Sequence, residues 1–373
     1  EEVTLKNVND FKLIGTDVKN VDGKKIVTGQ PLFGLDFQRE GMKLAMIQHP
    51  PAFGMQLVDF NEDEIKNMPG ISDAFIIDTT IAEPGMFDEV GFKKLVAIVG
   101  DSTWQLMQAK KALKVNWETT SELENSELHI QRLEEALVSG EVEETRTDGD
   151  PEAAFKKAAK VIERTYSAPF IAHNTLEPMN FFANVTDTAA ELIGPTQTPE
   201  ALEGSVAKLL NLPLENITVN MTRMGGGFGR RLYVHFGLEA AAISKKIGGP
   251  VKLIYSREDD MTQGTYRPTY RSVYKAGLDE NNNLIAFSVK GAGLTGGPVF
   301  VNRFPAGTVD NYFAQQIKAD TNITTGAWRA PRSNFTAGAE QSFLDEVAEL
   351  AGKDPIDFRL ELFERAIKNP VGE

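Results

Sequence analysis

Four short stretches of this sequence combine residue types that could do chemistry. The most suggestive is Met224-Gly225-Gly226-Gly227-Phe228-Gly229-Arg230-Arg231. Three consecutive glycines after a strand allow positive φ and a close approach of backbone to ligand. A helix expected over residues 232–247 would offer free N–H groups at its start, a natural seat for an anion. Arg230 and Arg231 would add two permanent positive charges suited to a phosphate or pyrophosphate. A tight strand-to-helix turn explains the same residues equally well in a chain with 32 glycines. The loop is not a Walker loop, since no Gly-Lys-Ser/Thr follows. Its spacing also departs from the dinucleotide fingerprint.

The second stretch is Gly194-Pro195-Thr196-Gln197-Thr198-Pro199. Gln197 offers a donor and an acceptor at the mouth of a helix that Thr198 should cap and Pro199 should start. Alone it reads as a loop Gln in water. In Ala172-His173-Asn174-Thr175-Leu176-Glu177-Pro178-Met179, His173 and Glu177 could face one site if helical. Pro178 disfavours helix at Glu177, and a satisfied structural pair is the commoner outcome. The fourth, Gly326-Ala327-Trp328-Arg329-Ala330-Pro331, places Arg329 among small residues; a surface Arg beside a core Trp is the plain alternative.

Elements must position these stretches. Apolar runs at 43–48, 71–78 and 94–100 read as strands, with helices over 62–67 and from Asp101 or Ser102 onward between them. Val115 and Trp117 alternate with polar neighbours as a further strand. Residues 119–149 turn strongly acidic and read as a solvated connector that could hold a helix over 126–139. Asp150-Pro151 starts another helix. Beyond it come a strand over 161–168, a hairpin over 185–193, a helix after Pro199, and a strand at 217–221 leading into the glycine loop. A strand at 251–255, a hairpin over 270–289 and helices over 343–351 and 356–367 follow. The expected fold is α/β (α+β), with one unit over residues 1–149, including the acidic connector, and a second over 150–373.

Composition narrows the classes of function. The 373 residues are 41% hydrophobic, 25% charged and 9% aromatic. A formal net charge of −14 argues against nucleic-acid binding, which draws on a basic face. Cysteine is absent, so disulfides, thiolate metal sites, iron–sulfur ligation and a Cys nucleophile are excluded from this chain. His49, His129, His173 and His235 show no paired ligand spacing, which argues against zinc. No apolar run approaches the ~18 residues of a membrane span.

Taken together, the four stretches resemble the large, molybdopterin-binding subunit of the xanthine oxidase family. The nearest likeness is to the β subunit of isoquinoline 1-oxidoreductase and bacterial aldehyde dehydrogenases. Residues 22–37 (DGKKIVTGQPLFGLDF) and 96–117 resemble that family's hammerhead domain. Tyr255-Ser256-Arg257-Glu258-Asp259-Asp260 and residues 340–360 resemble its cofactor domain, so the implied architecture is a hammerhead-like domain followed by a partial molybdenum-cofactor domain.

The resemblance implies that Gln197, Gly226, Gly227, Phe228, Gly229, Arg230, Arg231 and Arg329 bind molybdopterin. Phe228, Leu232, His173 and Glu177 would line the substrate channel, and the pterin, not the protein, would hold molybdenum. It implies hydroxylation of an aldehyde or N-heteroaromatic carbon with oxygen from water. Electrons would pass to [2Fe–2S] clusters on a small iron–sulfur partner subunit, in keeping with the absence of Cys. Bacterial relatives favour the cytosine dinucleotide form of the pterin and an exported, periplasmic location. Leu232 stands where purine oxidases carry a substrate-binding Glu, which argues against xanthine.

The family's general-base Glu is expected beyond this C-terminus, because Val371-Gly372-Glu373 comes too early to supply it. The sequence therefore reads as a central fragment or a split subunit, inactive alone. A cofactor-binding or assembly module without catalysis is the alternative. A nucleotide-dependent enzyme fits poorly, for want of an associated Lys or acidic ribose partner.

Overall fold

The computed structural model describes residues 3–88 and 91–368; Val371, Gly372 and Glu373 lie outside them. The first part of the chain supplies strands β1 (Lys43–Gln48), β2 (Met55–Phe60), β3 (Ile71–Asp78), β4 (Lys94–Gly100) and β5 (Val115–Thr119). Helices α1 (Gly23–Val27), α2 (Glu62–Lys66) and α3 (Thr103–Ala112) are set among them. Helix α4 (Ser126–Ser139), β6 (Glu141–Asp148), α5 (Pro151–Lys157) and β7 (Lys160–Ala168) follow. Next come β8 (Asn180–Val185), β9 (Ala190–Gly194), α6 (Pro199–Leu210), β10 (Ile217–Met221), α7 (His235–Ile247) and β11 (Val251–Ile254). Helix α8 (Arg257–Thr262), β12 (Tyr270–Leu278), β13 (Leu284–Leu294), β14 (Asn311–Ala319), α9 (Ser333–Ala351) and α10 (Pro355–Lys368) complete the chain.

Seven strands form one mixed sheet in the order β10-β9-β8-β11-β1-β4-β3. Residues 95–99 of β4 are an unbroken apolar run, each at most 1% exposed, as a strand covered on both faces requires. Strand β1 runs parallel to β11, with Lys43 opposite Val251, and antiparallel to β4. Strands from both sides of the expected 149/150 boundary therefore share this sheet. Helices α6 and α7 bury Leu202, Val206, Phe236 and Ala240 against Phe181, Leu192 and Leu253. Ile65 of α2 and Leu106 of α3 pack with Met46 and Ile98. The hairpin expected over residues 185–193 is present as antiparallel β8 and β9.

A second sheet has the order β6-β14-β13-β12-β7. Phe343, Leu344 and Val347 of α9 cover it with Tyr274 and Phe287, while Leu133 and Ala136 of α4 pack with Ala292 and Leu294. Two expectations are corrected here. Residues 141–148 are not solvated connector but the edge strand β6, paired antiparallel to β14. Its charged side chains suit an edge, which they protect from further pairing, and Glu143 accepts from the Gly297 amide and from Gln316. Helix α9 also begins at Ser333, ten residues before the expected start. Among the described residues no helix is long and apolar enough to cross a membrane.

Candidate cofactor site

Strand β10 ends at Met221 and hands the chain to the glycine loop, whose shape depends on left-handed backbone. Gly226 and Gly229 have φ of 102° and 105°, and Phe228 adopts φ 53°, a costly conformation for a bulky side chain. A Cβ at Gly229 would lie 2.1 Å from the Ala327 carbonyl oxygen, so only glycine fits there.

Glu177 holds the loop from beneath. Its Oε2 accepts from the Gly225 amide at 2.7 Å and from Arg231 Nη2 at 3.2 Å. Its Oε1 accepts from the Leu35 amide and the Asn180 side chain. The Glu177 amide in turn donates to the Gly225 carbonyl at 3.0 Å. Glu177 is only 6% exposed and its carboxylate is fully engaged, so it acts as a buried anchor where a channel wall was expected.

The two arginines are likewise turned inward, not toward an anion. Arg231 is fully buried and donates from Nε to the Gly226 carbonyl and from Nη2 to the Glu177 carbonyl, both at 2.8 Å. Burial lowers its pKa to about 10, against the pull of Glu177. Arg230, 2% exposed, reaches His235 Nε2 at 2.9 Å and the Gln263 carbonyl, with Asp260 3.6 Å away. His235 Nε2 must accept from the guanidinium, and burial with that neighbouring charge pushes its pKa far down. Nor does a helix start at the loop. A short 3-10 turn at Arg230–Leu232 intervenes, and α7 opens on buried His235.

The remaining sequence-predicted residues converge on the loop. Gln197 is exposed and accepts from the Gly229 amide at 3.2 Å through Oε1, while its own amide donates to the Arg231 carbonyl. A Cβ at Gly227 would meet Gln197 Oε1 at 2.7 Å. Thr198 does not cap α6; its hydroxyl donates to the Leu232 carbonyl at 2.7 Å and ties the Gln197 turn to the end of the glycine loop. Leu232 itself is half-buried. On the other side, the Arg329 amide donates to the Phe228 carbonyl at 2.8 Å, and Arg329 is exposed. His173 is buried and donates from Nε2 to the Ala327 carbonyl at 2.8 Å. Burial pushes its pKa down to about 4, so at neutral pH it is an uncharged strut between two loops.

One feature bears on ligand binding directly. The amides of Gly226, Gly227 and Phe228 have no hydrogen-bond partner among the described residues. They lie between Gly225 and Gly229, whose amides are taken by Glu177 and Gln197. Three adjacent free donors, flanked by exposed Gln197, Phe228 and Arg329, fit an oxygen-rich ligand.

Sequence reasoning missed the charged group behind the loop. His49, 3% exposed, lies 3.5 Å from Asp259 and 3.9 Å from Glu239. Lys110 binds Asp259, and Tyr255 donates to Glu239. Burial opposes the charge on His49, but Asp259 and Glu239 outweigh it and raise its pKa. The adjacent carboxylates Asp259 and Asp260 were a visible signal, while their partners come from remote elements.

Comparison with known proteins decides the class of ligand. Residues 135–363, more than half of the chain and including the whole glycine loop, match the molybdopterin cofactor-binding domain. The chain belongs to that family, of the xanthine oxidase type. Proteins similar to it include a membrane-bound aldehyde dehydrogenase [pyrroloquinoline-quinone] of Gluconacetobacter polyoxogenes, 28% identical over 97% of this chain and 49% of the relative. The isoquinoline 1-oxidoreductase β subunit of Brevundimonas diminuta is 25% identical over 96% and 47%. The chain thus spans about half the length of these relatives. It covers 89% of another, the nicotinate dehydrogenase large molybdopterin subunit of Eubacterium barkeri, at 24% identity. Among solved structures, quinoline 2-oxidoreductase from Pseudomonas putida 86 shares the fold with TM-score 0.73 and 19% identity, over 94% of this chain and 50% of that one.

Proposed function

We propose that this chain is the molybdopterin-binding part of a molybdenum hydroxylase that oxidises an aldehyde or an N-heteroaromatic compound with oxygen from water. The observation that carries this reading is the convergence of three remote stretches on one glycine loop with three free amide donors. In it, Gly226, Gly227 and Phe228 donate backbone N–H groups to the cofactor's oxygens, as oxyanion-binding amides do. Gln197 adds a side-chain amide at the same edge and Arg329 a positive charge. Phe228, 46% exposed, presents an apolar wall suited to an aromatic or aldehyde substrate. Gly229, buried His173 and half-buried Leu232 hold these groups in place. Arg230 and Arg231 act on the cofactor through the loop they brace. The cofactor, whether in the cytosine dinucleotide form or not, would supply the metal that activates water and takes up electrons. A small iron–sulfur subunit would carry the electrons away, since this chain has no Cys.

The test is oxidation of an aldehyde and of an N-heterocycle by the native complex in oxygen-labelled water. Label in the hydroxylated heterocycle supports the reading, since its ring carbon has no oxygen to exchange with water as an aldehyde does; turnover that yields unlabelled hydroxylated heterocycle contradicts it.

One observation favours a second reading. Glu177, the carboxylate that lies against the glycine loop, is enclosed and committed. A cofactor-binding or assembly module without catalysis would need no free carboxylate there. Cofactor bound at full occupancy in the native complex, without turnover of any substrate of either class, would favour it.

A further inference from the structure

Glu177 touches more than the glycine loop. Its Oε1 accepts the Leu35 amide at 3.1 Å, and Leu35 belongs to a segment (residues 31–37) far from the loop in sequence. This strap is tied down on both sides of Glu177. Lys252 of β11, 4% exposed, donates from Nζ to the carbonyls of Leu35 and Phe37, both at 2.8 Å. The Arg223 amide, at the base of the glycine loop, donates to the Leu32 carbonyl at 3.0 Å. A Cβ on Gly34 would sit 2.2 Å from Asn180 Oδ1, so the strap passes as close to β8 as backbone can. Glu177 is the side chain that grips both the strap and the loop.

We infer that Glu177 is a positioning residue that couples the 31–37 strap to the glycine loop and so holds the Gly226–Phe228 amides in their cofactor-receiving arrangement. The inference rests on the proposed role of that loop. The physical basis is the directionality of its bonds. Gly225 alone among the loop's first amides is pinned, and it is pinned by a carboxylate that also bonds Arg231, whose Nε holds the next carbonyl, that of Gly226. With both ends of the turn fixed, here by Glu177 and at Gly229 by Gln197, the three amides between them are left unpaired and fixed in direction. A carboxamide cannot reproduce this, because its NH2 would face either N–H donors or the guanidinium.

The experiment compares wild type, E177Q and V347A, a core deletion under the other sheet, as full-length protein in its native complex. Amide hydrogen exchange is read by mass spectrometry, alongside pterin content and the absorption spectrum of bound cofactor. Loss of charged hydrogen bonds predicts exchange at least about tenfold faster at the bonded amides of the glycine loop (Gly225, Gly229 and Arg230) and at Leu35 of the strap in E177Q, with α9 unchanged. Pterin content should fall and the spectrum of the remaining cofactor should shift, whereas V347A at a similar melting temperature should show neither. Loop exchange and spectrum equal to wild type in E177Q would overturn the inference, as would a rise spread evenly over the chain. If E177Q does not accumulate folded, G225A decides. Its Cβ would fall 2.4 Å from Glu177 Cβ and must push the loop away. Faster loop and strap exchange in G225A supports the inference, and wild-type exchange overturns it. If wild type carries no pterin, the functional reading fails, while the exchange comparison still decides the role of Glu177.

Discussion

The Phe228 carbonyl accepts the Arg329 amide at 2.8 Å, joining two loops that are remote in sequence and belong to different sheets' surroundings. Phe228 holds a positive φ at this junction, and Arg329 is exposed. The site is therefore a backbone construction, in which loops hold each other by amides and carbonyls and few side chains remain free for a ligand. Predictions follow from which side chains brace and which are free.

Gln197 is exposed and makes one long side-chain bond, so Q197A should change unfolding free energy by no more than about 0.5 kcal/mol. Removing a polar contact to the cofactor should nevertheless lower affinity about fivefold, the equivalent of one ordinary hydrogen bond. Urea titration and pterin retention during dialysis measure the two separately. Equal retention by Q197A and wild type would remove Gln197 from the cofactor site.

Gly229 tolerates no side chain. G229A should lose about 1–3 kcal/mol from its φ alone, and the clash with the Ala327 carbonyl should also separate the two loops. The expected result is a lower melting temperature together with loss of bound pterin. By contrast, G338A, inside helix α9 where nothing lies within 4 Å of the new Cβ, should leave bound pterin unchanged and the melting temperature equal or slightly higher.

His173 makes a pH prediction with a definite sign. Its folded pKa of about 4 lies below the ordinary value of 6.5, so the unfolded chain binds the proton more tightly. Its contribution to stability is therefore intact above pH 6.5 and is lost as pH falls from 6.5 toward 4. The full difference is on the order of 3 kcal/mol. H173Q keeps an N–H for the Ala327 carbonyl but cannot titrate. Its unfolding free energy should fall less steeply than that of wild type across this window, as chemical denaturation at several pH values would show. Parallel pH profiles would contradict the assignment.

Local pattern made much of this architecture readable, and long-range pairing explains the rest. Residues 95–99 announced a buried strand, Ser102 caps α3 by accepting from Gln105, and 217–221 led into the glycine loop as expected. All four chemistry-bearing stretches do meet. What composition disguised was β6, whose charged residues read as solvent-facing because an edge strand needs little apolar surface. Arg230 and Arg231 misled in the opposite way. Two adjacent arginines suggest an anion, but beside the nearby His235 and Gly226 carbonyl their partners are Glu177, Asp260 and the Gln263 carbonyl, which arrive from other segments. The grip of Glu177 on Leu35 had no signature in sequence, because it joins a side chain to a backbone amide across the whole first part of the chain.

The most direct test of the central claim is the molybdenum and pterin content of the full-length protein purified in its native complex. Metal analysis and fluorescence of the oxidised, extracted pterin should each give about one equivalent per copy of this chain, as one cofactor-binding loop per chain requires. A complex that contains neither, and that takes up neither on reconstitution with the isolated cofactor, would contradict the account.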